Sequence, residues 1–181
     1  MANCLLKSDI LTSSVCGYTL KKVIEVYLAN FSEVTGSTIG NENGGTEVKT
    51  ITMAAGGRFY KIDVAEDSAS FTDELVVGAN GGKYRNHTIT FGVGGNYDAS
   101  MADTLDALSL GKYIAVANLA DDSYILLGRI AGITASVATL QGSATADGES
   151  GITVTLNGNA VEVALPLSDE AIETVKKNVT D

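Results

Sequence analysis

Apolar and polar positions alternate with a period of two through much of the chain. In Leu20–Phe31 (LKKVIEVYLANF), Val23, Glu25, Tyr27 and Ala29 alternate with Ile24, Val26 and Leu28. The β-branched enrichment there predicts a strand. The same reasoning predicts strands at Val48–Met53, Arg58–Val64, Phe71–Val77 and Lys83–Val93. Further strands are expected at Tyr113–Asn118, Tyr124–Leu127, Ile133–Leu140, Ile152–Leu156 and Ala160–Leu165. Two runs repeat at helical spacing instead. Tyr97–Leu110 carries Met101, Leu105 and Leu108 on one face, with Ser100 as the expected N-cap, Asp103 three residues on and Gly111 as the stop. Leu167–Val179 follows Pro166, with Ser168 as cap, Asp169 and Glu170 in its first turn and Lys176 and Lys177 in its last.

Between these runs lie turn signals. Thr35–Thr46 (TGSTIGNENGGT) has four glycines and little apolar content, and reads as a long loop. GANGG joins two strands, and Asn80-Gly81 predicts a hairpin in which both residues take positive φ. Asp121-Asp122 and Asn157-Gly158-Asn159 read as turns between neighbouring strands. Gly94-Gly95 releases the chain toward the first helix. The expected fold is mainly β, a β-sandwich or open β-barrel of short antiparallel strands. A central α-helix packs on it and a short helix ends it. No repeat or shift in composition divides the 181 residues, which read as one domain.

Composition narrows the function classes. The formal net charge is −10, so the chain lacks the basic footprint of a tight nucleic-acid binder. A surface past which DNA slides is expected to be acidic, because attraction would trap it. MANCLLKSDILTSS has no basic region followed by a long apolar run, so no signal peptide is expected, and no apolar stretch is long enough for a membrane span. Cys4 and Cys16 are the two cysteines, and His87 is the single histidine. They are too few for a disulfide framework or a zinc site, and the thiols read as reduced and packed.

Candidate chemistry is sparse. His87 alternates with Arg85, Ile89 and Phe91 in a strand, with no nucleophile on a sharp turn nearby, and reads as half-exposed and structural. GANGG precedes a strand rather than a helix, so it lacks the context of a phosphate loop. Gly92, Gly94 and Gly95 have the wrong spacing for a dinucleotide fingerprint. The scattered carboxylates form no calcium register, and no catalytic constellation assembles. The expectation is a protein that is not an enzyme and carries no cofactor or metal.

The order of elements resembles a tailed-phage tail tube protein. A strand-rich first half holds a Gly-rich segment and the hairpin FTDELVVGANGGKYRNHTITFGV; one helix and a β-rich second half follow. LGKYIAVANLADDSYILLGRIAGITAS, DGESGITVTLNGNAVEVALPLSDE and, above all, TLNGNAVEVALPL are similar to virion structural proteins of phages that infect Bacteroides. The resemblance implies self-association into hexameric rings stacked as a tube, a conduit for DNA ejection. Its partners would be its own copies, other tail or neck proteins and DNA in transit, with no membrane. The chain would sit in the virion tail after assembly in the host cytoplasm. The resemblance makes 35–47 the stacking loop, with Gly36, Ser37, Thr38, Gly40, Asn41, Asn43, Gly44 and Gly45 as interface candidates. It sets the 71–93 hairpin, with Asn80, Gly81, Tyr84, Arg85 and His87, against a neighbouring subunit or ring, and makes 1–19 an arm that reaches an adjacent protomer. The alternatives are a head–tail connector or neck ring protein, or a β-sandwich carbohydrate-binding module. The absence of tryptophan disfavours the last.

Overall fold

The computed structural model describes residues 21–42, 45–94, 98–142 and 151–179. The elements run β1 (Val23–Asn30), a 3-10 turn (Phe31–Glu33), β2 (Val34–Glu42), β3 (Gly45–Met53), β4 (Phe59–Ile62), β5 (Ser70–Val77) and β6 (Lys83–Val93). Then come α1 (Ala99–Leu110), β7 (Lys112–Leu119), β8 (Tyr124–Leu127), β9 (Ile133–Gln141), β10 (Gly151–Ala160), β11 (Leu165–Pro166) and α2 (Asp169–Lys177). The expected mainly β, antiparallel, sandwich-like fold is what forms.

Two sheets meet at β7. One edge of β7 pairs with β1, which also pairs with β4. The other edge pairs with β9 at Lys112 and Tyr113, and with β8 from Ala115 to Asn118. This gives a first sheet β4-β1-β7-β8-β11 and a second sheet β9-β10-β6-β5, and the path does not close into a barrel. Between the sheets lies a core of Val26, Leu28, Ala115, Leu127, Ile89, Phe91, Val154 and Leu156. Met101, Leu105 and Leu108 of α1 pack against its margin.

The first sheet is also covered on its far face. Tyr27, Ala29, Ile114, Val116 and Leu126 pack there against Val48 and Ile51 of β3 and Ala171 and Val175 of α2. Residues 113–118 are therefore buried on both faces, which is why YIAVAN is an almost continuous apolar run rather than an alternating one. Each fully buried Leu or Phe contributes about 1.5–3 kcal/mol through removal from water.

Five local expectations are corrected. The 35–46 segment is not a loop: β2 and β3 form a hairpin with Thr38 opposite Thr50, Ile39 opposite Val48 and Asn41 opposite Thr46. Buried Val48 and Ile51 anchor it to the first sheet, so tertiary packing overrides the weak strand propensity of its glycines. Asn157-Gly158-Asn159 is strand interior, paired with Thr88, His87 and Asn86. A Cβ on Gly158 would lie 2.4 Å from the Gly132 carbonyl oxygen, so this glycine marks close backbone approach, not a turn. The chain turns later, and of the strand expected at Ala160–Leu165 only its first residue ends β10 and its last begins β11.

The cap of α1 is Asp98, whose Oδ1 accepts from the Met101 amide at 2.8 Å; Ser100 falls inside the first turn. In the 71–93 hairpin, Gly81 alone is left-handed, at φ +77. The Gly81 amide donates to the Gly78 carbonyl, and the Gly78 amide to the Gly82 carbonyl, both at 2.8 Å. This is a wider loop than a two-residue turn, and Asn80 needs no positive φ within it. The second helix forms as expected, with the Ser168 hydroxyl accepting from the Ala171 amide.

Candidate functional site

Strand β6 directs His87 to the same face as Ile89 and Phe91, and the residue is 1% exposed. The expectation of a half-exposed histidine is thus overturned. Gly128 and Glu162, 41 and 75 residues away in sequence, close over the ring. The Gly128 amide donates to Nδ1 at 3.2 Å. That assigns the ring proton to Nε2, which donates to the Glu162 carbonyl at 3.1 Å. With its one lone pair engaged, the ring is not placed as a general base. Gly128 has φ +74, so the amide that meets the ring depends on a glycine conformation.

The surrounding charges hold the same segment. Arg129 Nε donates to Glu162 Oε1 at 2.7 Å, Nη2 pairs with Oε2, and Nη1 donates to the Ser37 hydroxyl at 3.1 Å. Hydrogen bonding to Glu162 raises the Arg129 pKa. On the hairpin, Arg85 Nε donates to Asp73 Oδ1 at 2.7 Å, and Asp73 Oδ2 accepts from the Ala164 amide at 2.9 Å. Oδ1 also lies 3.5 Å from His87 Nε2. Burial opposes ionisation of Asp73, but the hydrogen bonds from Arg85 and the Ala164 amide outweigh it and lower the carboxyl's pKa. The bend between β10 and β11 is thereby tied to β2, β5, β6 and the 128–129 turn. This is a clamp built from satisfied donors and acceptors, with no activated nucleophile.

A second cluster sits on the first sheet. Glu25 accepts from Lys61 Nζ at 2.5 Å, the Tyr27 hydroxyl at 2.6 Å and Asn118 Nδ2 at 2.9 Å. Burial pushes the Glu25 carboxyl up, yet these three donors carry it down to about 2. Burial, then the Glu25 carboxylate, raises the Tyr27 phenol. An ionised carboxylate joining β1, β4 and β7 is again a structural device.

Of the interface candidates, Gly36, Ser37, Thr38, Gly40 and Asn41 lie on β2 and Gly45 opens β3; Asn43, Gly44 and the 1–19 segment lie outside the described residues. Asn80 and Gly81 are exposed in the hairpin turn. The structure brings Ser37, Arg85 and His87 into the clamp, a meeting that no local pattern signals. Asp73, Gly128, Arg129 and Glu162 are the members that sequence reasoning missed. Among the described residues no group of His, Cys, Asp and Glu is placed to hold a metal. No helix in them is long and apolar enough to cross a membrane.

The second sheet offers a different kind of site. β5 pairs only with β6 among the described residues, and β9 pairs with β10 and, at its first two residues, with β7. Both outer edges of this sheet therefore carry unpaired backbone groups. Strand β9, ITASVATLQ, has no charged residue, and residues 136–141 are exposed, including Val137 and Leu140. α1 lies beside β9, and no backbone hydrogen bond between them is present among the described residues.

The face of this sheet that points away from the core is also unusual. The pairing register puts Thr72, Thr88, Thr90, Thr155, Thr153 and Thr139 on it. Thr90 and Thr155 share a hydrogen bond across β6 and β10 at 3.0 Å. Among the described strand residues, Glu74 is the single charge on this face. No family model, no curated protein and no solved structure matches this chain.

Proposed function

We propose that this chain is a structural subunit that self-assembles edge to edge into rings, which stack as the tube of a phage tail. The observation that carries this reading is the second sheet: among the described residues the outer edge of β5 is unpaired, and that of β9 is paired only at Ile133 and Thr134. Monomeric proteins blunt such edges with charge, proline or a bulge. Apart from one register shift against β10 at Ser136, β9 has none of these: residues 136–141 are exposed with neither charge nor proline, in a chain of net charge −10. A further strand is the natural cover.

Topology supports a head-to-tail partner. The neighbours in β9-β10-β6-β5 are all antiparallel, and there are four strands. A copy rotated about an axis along the strands thus presents its β9 antiparallel to β5, and the alternation continues unbroken. Such a heterologous contact repeats until it closes as a ring. The resemblance to tail tube proteins supplies the ring and the stack.

Electron microscopy of the purified chain in negative stain tests the reading. Stacked rings are expected. Rings that stay single at high concentration favour the connector or neck position instead, and a monomer at all concentrations refutes assembly.

A further inference from the structure

Resting on the reading above, we infer that α1 of each copy is the seat for the 161–164 bend of the next copy. The seat is the outer face of α1 around Leu110, and its occupant is a second copy of this chain. What it receives is an apolar patch of Val161, Val163, Leu75 and Val77.

Within one chain α1 is poorly supported. None of its 12 residues is buried, and it has neither an acid in its first turn nor a base in its last. A helix this short is marginal without packing. α2, by contrast, buries Ala171 and Val175 and carries charges that match its dipole. Met101, Leu105 and Leu108 turn one face of α1 to the margin of the core. At about 3.6 residues per turn, Asp103, Asp106 and Leu110 fall on the opposite face. Leu110 there is 81% exposed.

The fold sets the two surfaces on opposite sides of the chain and at one level. α1 lies beside β9, and Lys112, just after it, pairs with Thr134 at the start of that strand. From Thr134 the ladder crosses through Asn157 and Thr88 to Thr72 on β5. There the bend is fastened, because Asp73 accepts from the Ala164 amide. Leu75 and Val77 follow Asp73 at alternate positions and share the core-facing side of β5 with it. Both are exposed, as is Val163, and Val161 is 80% exposed. When β9 of one copy joins β5 of the next at the same level, Leu110 meets this patch. The charges are complementary as well. Asp103 and Asp106 on the helix face, and Lys83 beside Val77, have no ion-pair partner among the described residues. Asp73 and Glu162 are already matched by Arg85 and Arg129. Acid on one side therefore faces unpaired base on the other.

The test uses the full chain with Cys4 and Cys16 replaced by Ser. Leu110→Cys and Val163→Cys, both at exposed positions, are introduced singly and together and treated with a short bismaleimide after assembly. The inference expects a ladder of covalent multimers from the double variant and none from either single one. Ser70→Cys with Val137→Cys reports the strand edges alone. A ladder from that pair without one from L110C/V163C, or dimers from L110C alone, overturns the inference and leaves the edge contact standing. No ladder from either pair overturns both. Hydrogen exchange of the unmodified chain is the second measurement. Amides of 99–110 are expected to exchange at least tenfold more slowly after assembly, while those of 169–177 keep their rate. Equal rates at 99–110 in subunit and assembly overturn the inference.

Discussion

The Gly128 amide points at Nδ1 of His87 across 3.2 Å, and it is the contact that fixes which ring nitrogen keeps the proton. Removing the ring orphans that amide and the Glu162 carbonyl, and leaves a cavity where the residue is buried. His87→Ala is therefore expected to cost about 2–4 kcal/mol of stability. Urea unfolding would show this as a lower midpoint with the slope unchanged. An unaltered midpoint would mean that the clamp contributes nothing.

Glu25 makes a prediction about acid. Its folded-state pKa, about 2, lies below the unfolded value of about 4.3. The stabilisation is fully present above the unfolded value and is lost as pH falls through the folded one. The carboxylate is partly exposed and screened, so the contribution is on the order of 1–2 kcal/mol. Glu25→Gln should destabilise by that amount at pH 7, and the gap from the parent chain should shrink toward zero near pH 2. A gap independent of pH would remove ionisation from the account.

Gly158 separates close approach from turn geometry. Gly158→Ala sets a methyl group 2.4 Å from the Gly132 carbonyl oxygen, against backbone that cannot rotate away. A loss of about 2–3 kcal/mol in thermal or urea unfolding is expected. Gly82→Ala is the control, with nothing within 4 Å of the new Cβ. Equal effects at the two sites would contradict this explanation.

Much of the fold was legible because local pattern and final environment agree. The alternation in KYRNHTITFGV survives as a strand with one face in the core. Ser168 caps α2 as its position suggests, because the cap is a contact within four residues. Glycine is where the reading failed. Gly36, Gly40 and Gly158 look like turn formers but lie in strands; at Gly158 what demands glycine is the Gly132 carbonyl, a neighbour distant in sequence. The clamp was invisible for the same reason: Arg129 meets Ser37 and Glu162 across 92 and 33 residues. No local spacing encodes such meetings. The open edges were equally hidden, since an edge is defined by which strand is absent beside it.

The most direct test of the central claim is disulfide mapping between copies. Ser70 on β5 and Val137 on β9 are exposed, share the outward face of the second sheet and lie level with each other through Thr90 and Thr155. In a Cys4→Ser, Cys16→Ser background, S70C and V137C would be introduced singly and together and oxidised gently. Edge-to-edge assembly predicts a ladder of covalent multimers from the double variant and none from either single variant. Dimers from V137C alone would show β9 pairing with β9, and uncrosslinked monomer from the double variant would show no edge contact; either result contradicts the account.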